Sequence, residues 1–248
     1  MNKTLFIAHR GGGAGVFENK RETIKQSLSK DYIDGVEVDI RLTKDGVIAI
    51  HHDRGVYING KRVWIDSLLY SEIKHLGIST LYEVMQLANK YQKIINIDIK
   101  DESCTTALVD FLKRNKFQNK LYIDCFSLET LFLIEEAYPN GIYSLTHNPK
   151  DTYDFTRRFV VKILLLLTSI FFSRAIVYIL RKKFQKVAVD GITIYSRFAT
   201  KNFVKDLKTF GFLVFVYGVT KKSQIDQFTA WEVDGIKTER IDLFQKTS

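Results

Sequence analysis

Short runs of β-branched and aromatic residues recur along the chain, each followed by a stretch of helical periodicity. The runs predict strands over 5–9, 35–42, 47–52, 94–100, 121–126, 141–146, 190–195, 212–219 and 234–238. Several are apolar almost throughout, as expected of strands buried on both faces of a parallel sheet. Between them the 3.6-residue pattern predicts helices over 21–29, 81–91, 105–115, 128–137, 201–210 and 222–229. Alternation at this spacing favours an α/β fold of the TIM (β/α)8 barrel kind, with a doubly wound open sheet as its rival. No repeat or linker interrupts the pattern, so 1–248 reads as a single domain.

One connection breaks the alternation. Only Thr43-Lys44-Asp45-Gly46 separates the second strand from the third. A parallel crossover needs a dozen or more residues, so these two strands are expected to form an antiparallel hairpin with Asp-Gly in its turn. A turn centred between Lys44 and Asp45 would set His52 opposite Glu37 and Ile50 opposite Asp39. A slip of one residue would undo that pairing.

Against the apolar strands, certain polar residues stand out. Glu37 and Asp39 leave one face of the same strand, and Asp98 and Lys100 share a face of another. The first strand ends in His9-Arg10-Gly11 and the third in His51-His52-Asp53. In a barrel, the C-terminal strand ends converge on one mouth. Glu37, Asp39, Asp98, Lys100, His9, Arg10 and His52 could all meet there. Three such carboxylates repel unless a cation sits among them, and an all-oxygen set suits Mg2+ or Ca2+ rather than zinc. With a divalent ion, Arg10 and Lys100, the set carries one net positive charge, which a phosphodiester monoanion matches. Arg10 offers a bidentate phosphate grip. His9 and His52 make an acid/base pair for displacement at phosphorus, one taking a proton from the nucleophile and the other giving one to the leaving alkoxide. Each motif alone is weak: a lone Glu-x-Asp is more often a solvent-facing edge, and Asp98 with Lys100 could be a simple ion pair. Together, at the ends of apolar strands, they point to a site. His51 faces away from His52 and receives no role.

Composition bounds the partners. The chain has 248 residues with 37 Lys+Arg against 28 Asp+Glu. Eight of the cations lie between Arg157 and Lys186, a stretch without an acid, and the remainder is balanced at 29 against 28. A nearly neutral body with one basic segment disfavours a nucleic-acid surface. Cys104 and Cys125 cannot build a disulfide framework and fit a reducing, cytoplasmic setting. The apolar run near the start covers only Leu5–Ala8, below the ~7–15 residues of a signal core.

The motifs resemble those of the glycerophosphodiester phosphodiesterase family, over most of the chain. Ile7-Ala8-His9-Arg10-Gly11 resembles its opening motif and Gly35–Gly46 its second block, nearly residue for residue. His52-Asp53, Ser79–Val84, Ile97-Asp98-Ile99-Lys100 and Asp234–Glu239 follow in the family's order and spacing. The resemblance implies a TIM barrel of the phosphatidylinositol-phospholipase-C-like type, with a small insertion at about 54–78. It implies hydrolysis of glycerophosphodiesters to an alcohol and glycerol phosphate with one divalent metal. Glu37, Asp39 and Asp98 would be its ligands, His9 and His52 the acid/base pair, and Arg10 and Lys100 the phosphate holders. The chain departs from the pattern at Phe17-Glu18-Asn19-Lys20, at Asp98 in place of Glu, at Cys125-Phe126 in place of Ser-Phe, and at Tyr217 in place of Trp. Phe126 and Tyr217 are expected on the substrate side of the mouth, with altered head-group preference as the consequence.

The segment 157–186 has an apolar centre between basic flanks, as an interfacial helix does. It is expected to dock the enzyme peripherally on the inner, anionic face of a membrane, near lipid-derived or lysolipid substrates. The alternative for this segment is an ordinary barrel helix. Lys162 and Arg174 leave only 11 uncharged residues between them, short of the about 20 that span a bilayer. Two other functions fit the same residues: a phospholipase D-like or cyclising phosphodiesterase acting on lysophospholipids, and a non-catalytic phosphate-ester binding barrel. Two histidines argue against the last, since binding alone needs cations and no acid/base pair.

Overall fold

The computed structural model describes residues 3–115, 117–146, 173–183 and 189–245. Its strands are β1 (Leu5–Ala8), β2 (Gly35–Leu42), β3 (Ile48–Ile50), β4 (Gly55–Ile58), β5 (Lys61–Trp64), β6 (Ile94–Ile99), β7 (Leu121–Cys125), β8 (Ile142–Leu145), β9 (Gly191–Tyr195), β10 (Leu213–Tyr217) and β11 (Gly235–Thr238). Eight of them run parallel in the order β1-β11-β10-β9-β8-β7-β6-β2, and a β1–β2 pairing closes the ring. The helices are α1 (Arg21–Leu28), α2 (Tyr70–Ile73), α3 (Leu81–Tyr91), α4 (Cys104–Arg114), α5 (Leu128–Ala137), α6 (Ser173–Lys183), α7 (Lys201–Thr209) and α8 (Lys222–Ala230). This is the closed barrel, not the open sheet.

Strand alternation sorts the side chains. Val36, Val38 and Ile40 of β2 and Ile95, Ile97 and Ile99 of β6 are buried beneath the helices. Each such side chain contributes roughly 1.5–3 kcal/mol of burial. Their neighbours Glu37, Asp39, Asn96 and Asp98 turn inward and are buried too. Inside the barrel, Ile7, Tyr122 and Phe215 form an apolar plug, with Tyr122 edge-on to Phe215 at 5.6 Å. The helices carry their own start signals. At α3, Thr80 Oγ1 accepts from the Glu83 amide and Glu83 accepts from the Thr80 amide, a reciprocal cap.

β3 pairs antiparallel with β2, as the short connection predicts, but one residue out of the expected register. Ile50 lies opposite Ile40, not Asp39. The cause is the loop: the Gly46 amide donates to Thr43, Gly46 is left-handed at φ 78°, and the Thr43 amide closes on Val47. That is a three-residue loop with a bulge, where a two-residue turn was expected. His52 lies beyond the end of β3 and is not cross-strand from Glu37.

β4 and β5 make a hairpin within the region expected as an insertion. Asn59 and Gly60 both take positive φ (50° and 76°), as a two-residue hairpin turn demands. Val56, Ile65, Leu68, Ile73, Ile78 and Ala49 give this region a small core of its own. Of the basic apolar segment, 157–172 and 184–186 lie outside the described residues. In α6, Val177 is buried while Tyr178 and Ile179 are exposed. Among the described residues, no helix is long and apolar enough to cross a membrane.

Candidate active site

Parallel register puts Asp39 beside Asp98 and Asp98 beside Asp124 on adjacent strands. Glu37 sits one inward position below Asp39. One oxygen from each of Glu37, Asp39 and Asp98 lies within 4.8 Å of the others, and all three residues are buried. Lys100 Nζ stands 3.0 Å from Asp39 and 2.5 Å from Asp98. His9, Arg10, His52, Lys100 and Tyr217 line the same cleft as Glu37 and Asp98.

The backbone aims these groups. After β1 the chain turns through left-handed Arg10 (φ 50°) and Gly11 (φ 74°). A Cβ on Gly11 would meet Ile24 at 2.5 Å, so only glycine fits the turn against α1. The Arg10 amide donates to Glu37 Oε2 at 2.7 Å and its guanidinium donates to Glu18 at 2.7 Å. Glu18 thus supports the site despite its altered motif. Asn19, also left-handed, donates from its side chain to Asp39 at 2.7 Å. Arg41 donates twice to the His52 carbonyl, at 2.9 and 2.7 Å, pinning the loop that carries the imidazole.

Both histidines have a carboxylate behind them. His9 Nδ1 is 3.3 Å from Glu239, and His9 Nε2 is 3.8 Å from Glu37. His52 Nδ1 is 2.9 Å from Asp53. In each ring the partner on Nδ1 leaves Nε2 for chemistry. Burial pushes the His52 imidazole below its ordinary value. Burial, then the charge of Asp39, raise Glu37 from 4.5 to about 7. Burial acts on Asp39 in the same direction, but Lys100, His52 and Arg10 outweigh it and hold that carboxyl well below the usual range. Glu37 Oε1 and Asp98 Oδ1 are buried without a hydrogen-bond partner. A buried carboxylate trio within 4.8 Å, with carboxylate oxygens left unpartnered, fits a hard divalent cation.

Tyr217 lies 6.1 Å from the His9 ring and 5.3 Å from Tyr195, and burial pushes its hydroxyl up to about 12. Phe126 is half-buried and packs against the main hydrophobic core. His51 lines a separate groove, its Nδ1 3.0 Å from the Asp53 carbonyl. Sequence reasoning passed over Asn19, Arg41, Asp53, Glu239, Asp124 and Lys237. For the last two the signal was present: each is a charge inside an apolar strand, the rule that singled out Glu37.

A sequence model of the glycerophosphoryl diester phosphodiesterase family matches residues 9–243. The chain belongs to this family. A glycerophosphodiester phosphodiesterase of Caldanaerobacter subterraneus is 30% identical over 158 residues, 56% of this chain and 64% of that relative. The match thus spans less than two thirds of the relative's length. The fold of the family's glycerophosphodiester phosphodiesterase from Thermotoga maritima superposes with a TM-score of 0.73 at 24% identity, covering 98% of both chains. An Oleispira antarctica phosphodiesterase, solved with the product sn-glycerol-3-phosphate, gives a TM-score of 0.76 at 17% identity, over 98% of this chain and 96% of that one.

Proposed function

We propose that this protein hydrolyses glycerophosphodiesters to an alcohol and glycerol 3-phosphate, with His9 and His52 as the acid/base pair and Glu37, Asp39 and Asp98 holding one divalent ion. The observation that carries this reading is the meeting of three buried carboxylates, two oriented imidazoles and two cations in one cleft. The product bound to the Oleispira relative and the family match support the substrate class.

The bound ion would polarise a phosphoryl oxygen. Arg10, held by Glu18 on one side and with its buried Nε 3.8 Å from Asp39, lines the cleft where its guanidinium can take phosphate oxygens. Lys100 supplies a second positive charge beside it. His52, oriented by Asp53, accepts the proton of the attacking water. His9 stands between Glu239 and Glu37, which compensate its charge while it holds the proton it gives to the leaving alkoxide.

The test is a panel of glycerophosphodiesters and lysolipids assayed with Mg2+, Ca2+ or chelator, for wild type and His9→Ala. Chelation and His9→Ala are each expected to cut turnover by at least ~10²-fold. Chelator-insensitive turnover would mean that the carboxylates hold no metal. Glycerol phosphate as product supports hydrolysis of this class; cyclic phosphate or lysophosphatidic acid would overturn it in favour of the cyclising or phospholipase D-like chemistry.

A further inference from the structure

Beside the carboxylate cluster, where Asp124 stands in register next to Asp98, lies a second group of buried polar residues that the mechanism does not use. Lys237 of β11 is 2% exposed, and its ammonium contacts Asp124 of β7, itself 2% exposed. Thr193 of β9 donates toward Asp124 at 3.5 Å and shares a 2.8 Å hydrogen bond with Ser144 of β8. Asp124, Thr193 and Lys237 all line the catalytic cleft alongside His9, Lys100 and Tyr217.

Two features of this group point to a ligand. An ammonium carries three N–H donors, and the only acceptor for Lys237 among the described residues is Asp124. Two donors of an almost fully buried Lys are therefore left for whatever fills the cleft. The pair is also neutral as a unit. The phosphate is drawn to Arg10, Lys100 and the ion site, so the part of the substrate that reaches this floor should be uncharged, with both donors and acceptors. Hydroxyls meet that description. The ring of Tyr217, on the same cleft, offers a flat apolar wall to the carbons between them.

We propose that Asp124, Lys237 and Thr193 form a hydroxyl-recognising floor that selects diesters whose retained alcohol carries free neighbouring hydroxyls, as glycerol does. This inference rests on the phosphodiesterase reading and names the residues that set its specificity.

The test deletes hydroxyls from the ligand first. Wild-type turnover of a glycerophosphodiester is inhibited with sn-glycerol 3-phosphate, 3-hydroxypropyl phosphate or propyl phosphate. Loss of the first hydroxyl is expected to raise the inhibition constant at least about fivefold, and loss of both to raise it further. A smaller change overturns the inference, and that outcome needs no variant. The protein side is then read in Thr193→Val and in the double variant Asp124→Leu/Lys237→Met, which removes the pair without orphaning a charge. In both, the discrimination among the three phosphates is expected to shrink; undiminished discrimination in both overturns the assignment. Bis(4-nitrophenyl) phosphate separates the two levels of failure. A wild type that cleaves neither this diester nor any glycerophosphodiester sinks the phosphodiesterase reading. A wild type that cleaves them, yet is inhibited alike by all three phosphates, sinks only the floor.

Discussion

The barrel interior holds two groups of buried charge, side by side across β6 and β7, and they are built differently. At the mouth, Glu37, Asp39 and Asp98 crowd together with Lys100 set between two of them, and oxygens of Glu37 and Asp98 are left without partners. At the floor, Asp124 and Lys237 match one to one in charge, with Thr193 and Ser144 hydrogen-bonded beside them and two Lys237 donors still open to the cleft. The lower group is balanced in charge as it stands. The upper group sets three carboxylates against two side-chain cations in a low-dielectric setting, which costs folding energy wherever no further cation compensates it. Where a protein leaves buried charge unbalanced, it marks the place a charged ligand completes.

The largest effect expected from this contrast is on the floor. Lys237→Met should destabilise the fold by about 3–5 kcal/mol, because Asp124 is left as a buried unpaired charge. The added Asp124→Leu change should restore most of that loss, as read by denaturant unfolding. Equal stability of the single and double variants would break the contrast.

At the mouth the sign reverses. Glu37→Gln should raise the stability of the metal-free protein at pH 8 by about 1–3 kcal/mol while abolishing turnover. The sign follows from linkage: the Glu37 carboxyl is raised from 4.5 to about 7, so its charged form costs stability. That cost is absent at low pH, grows as pH rises from 4.5 toward 7, and is complete above 7. Glu37→Gln should therefore gain nothing at pH 4. A loss of stability at pH 8 would show that Glu37 is balanced without a metal.

The same raised carboxyl must lose its proton to bind a divalent ion. Between pH 8 and pH 6, metal affinity should fall about tenfold, near 1.4 kcal/mol, with a proton released on binding. Calorimetry in buffers of different ionisation heat reads both; affinity independent of pH would contradict it. The smallest effect belongs to a residue outside both groups. Thr80→Ala removes the cap of α3 and should cost ~1 kcal/mol of stability with turnover unchanged.

How legible this was in the sequence differs between the two groups. The mouth announced itself, since His9-Arg10, Glu37-x-Asp39 and Asp98-x-Lys100 each place charge at the end of an apolar run. The floor was legible only in part: Asp124 and Lys237 are each a charge inside an apolar strand, but they are 113 residues apart and only the fold pairs them. Asp53 and Glu239 sat inside recognised motifs, yet only geometry set them behind the imidazoles. The β4–β5 hairpin carried a readable Asn59-Gly60 turn that had drawn no strand assignment.

By itself the chain determined the alternation of strands and helices, the faces on which charges emerge, and the types of chemistry those charges can do. These follow from local periodicity, which needs no knowledge of distant residues. Ring closure decided the rest. It set β11 against β1 and brought Lys237 over Asp124. Such facts depend on which strands meet and in what stagger. Side-chain packing and loop geometry set these over the whole molecule, and no single window of sequence contains them.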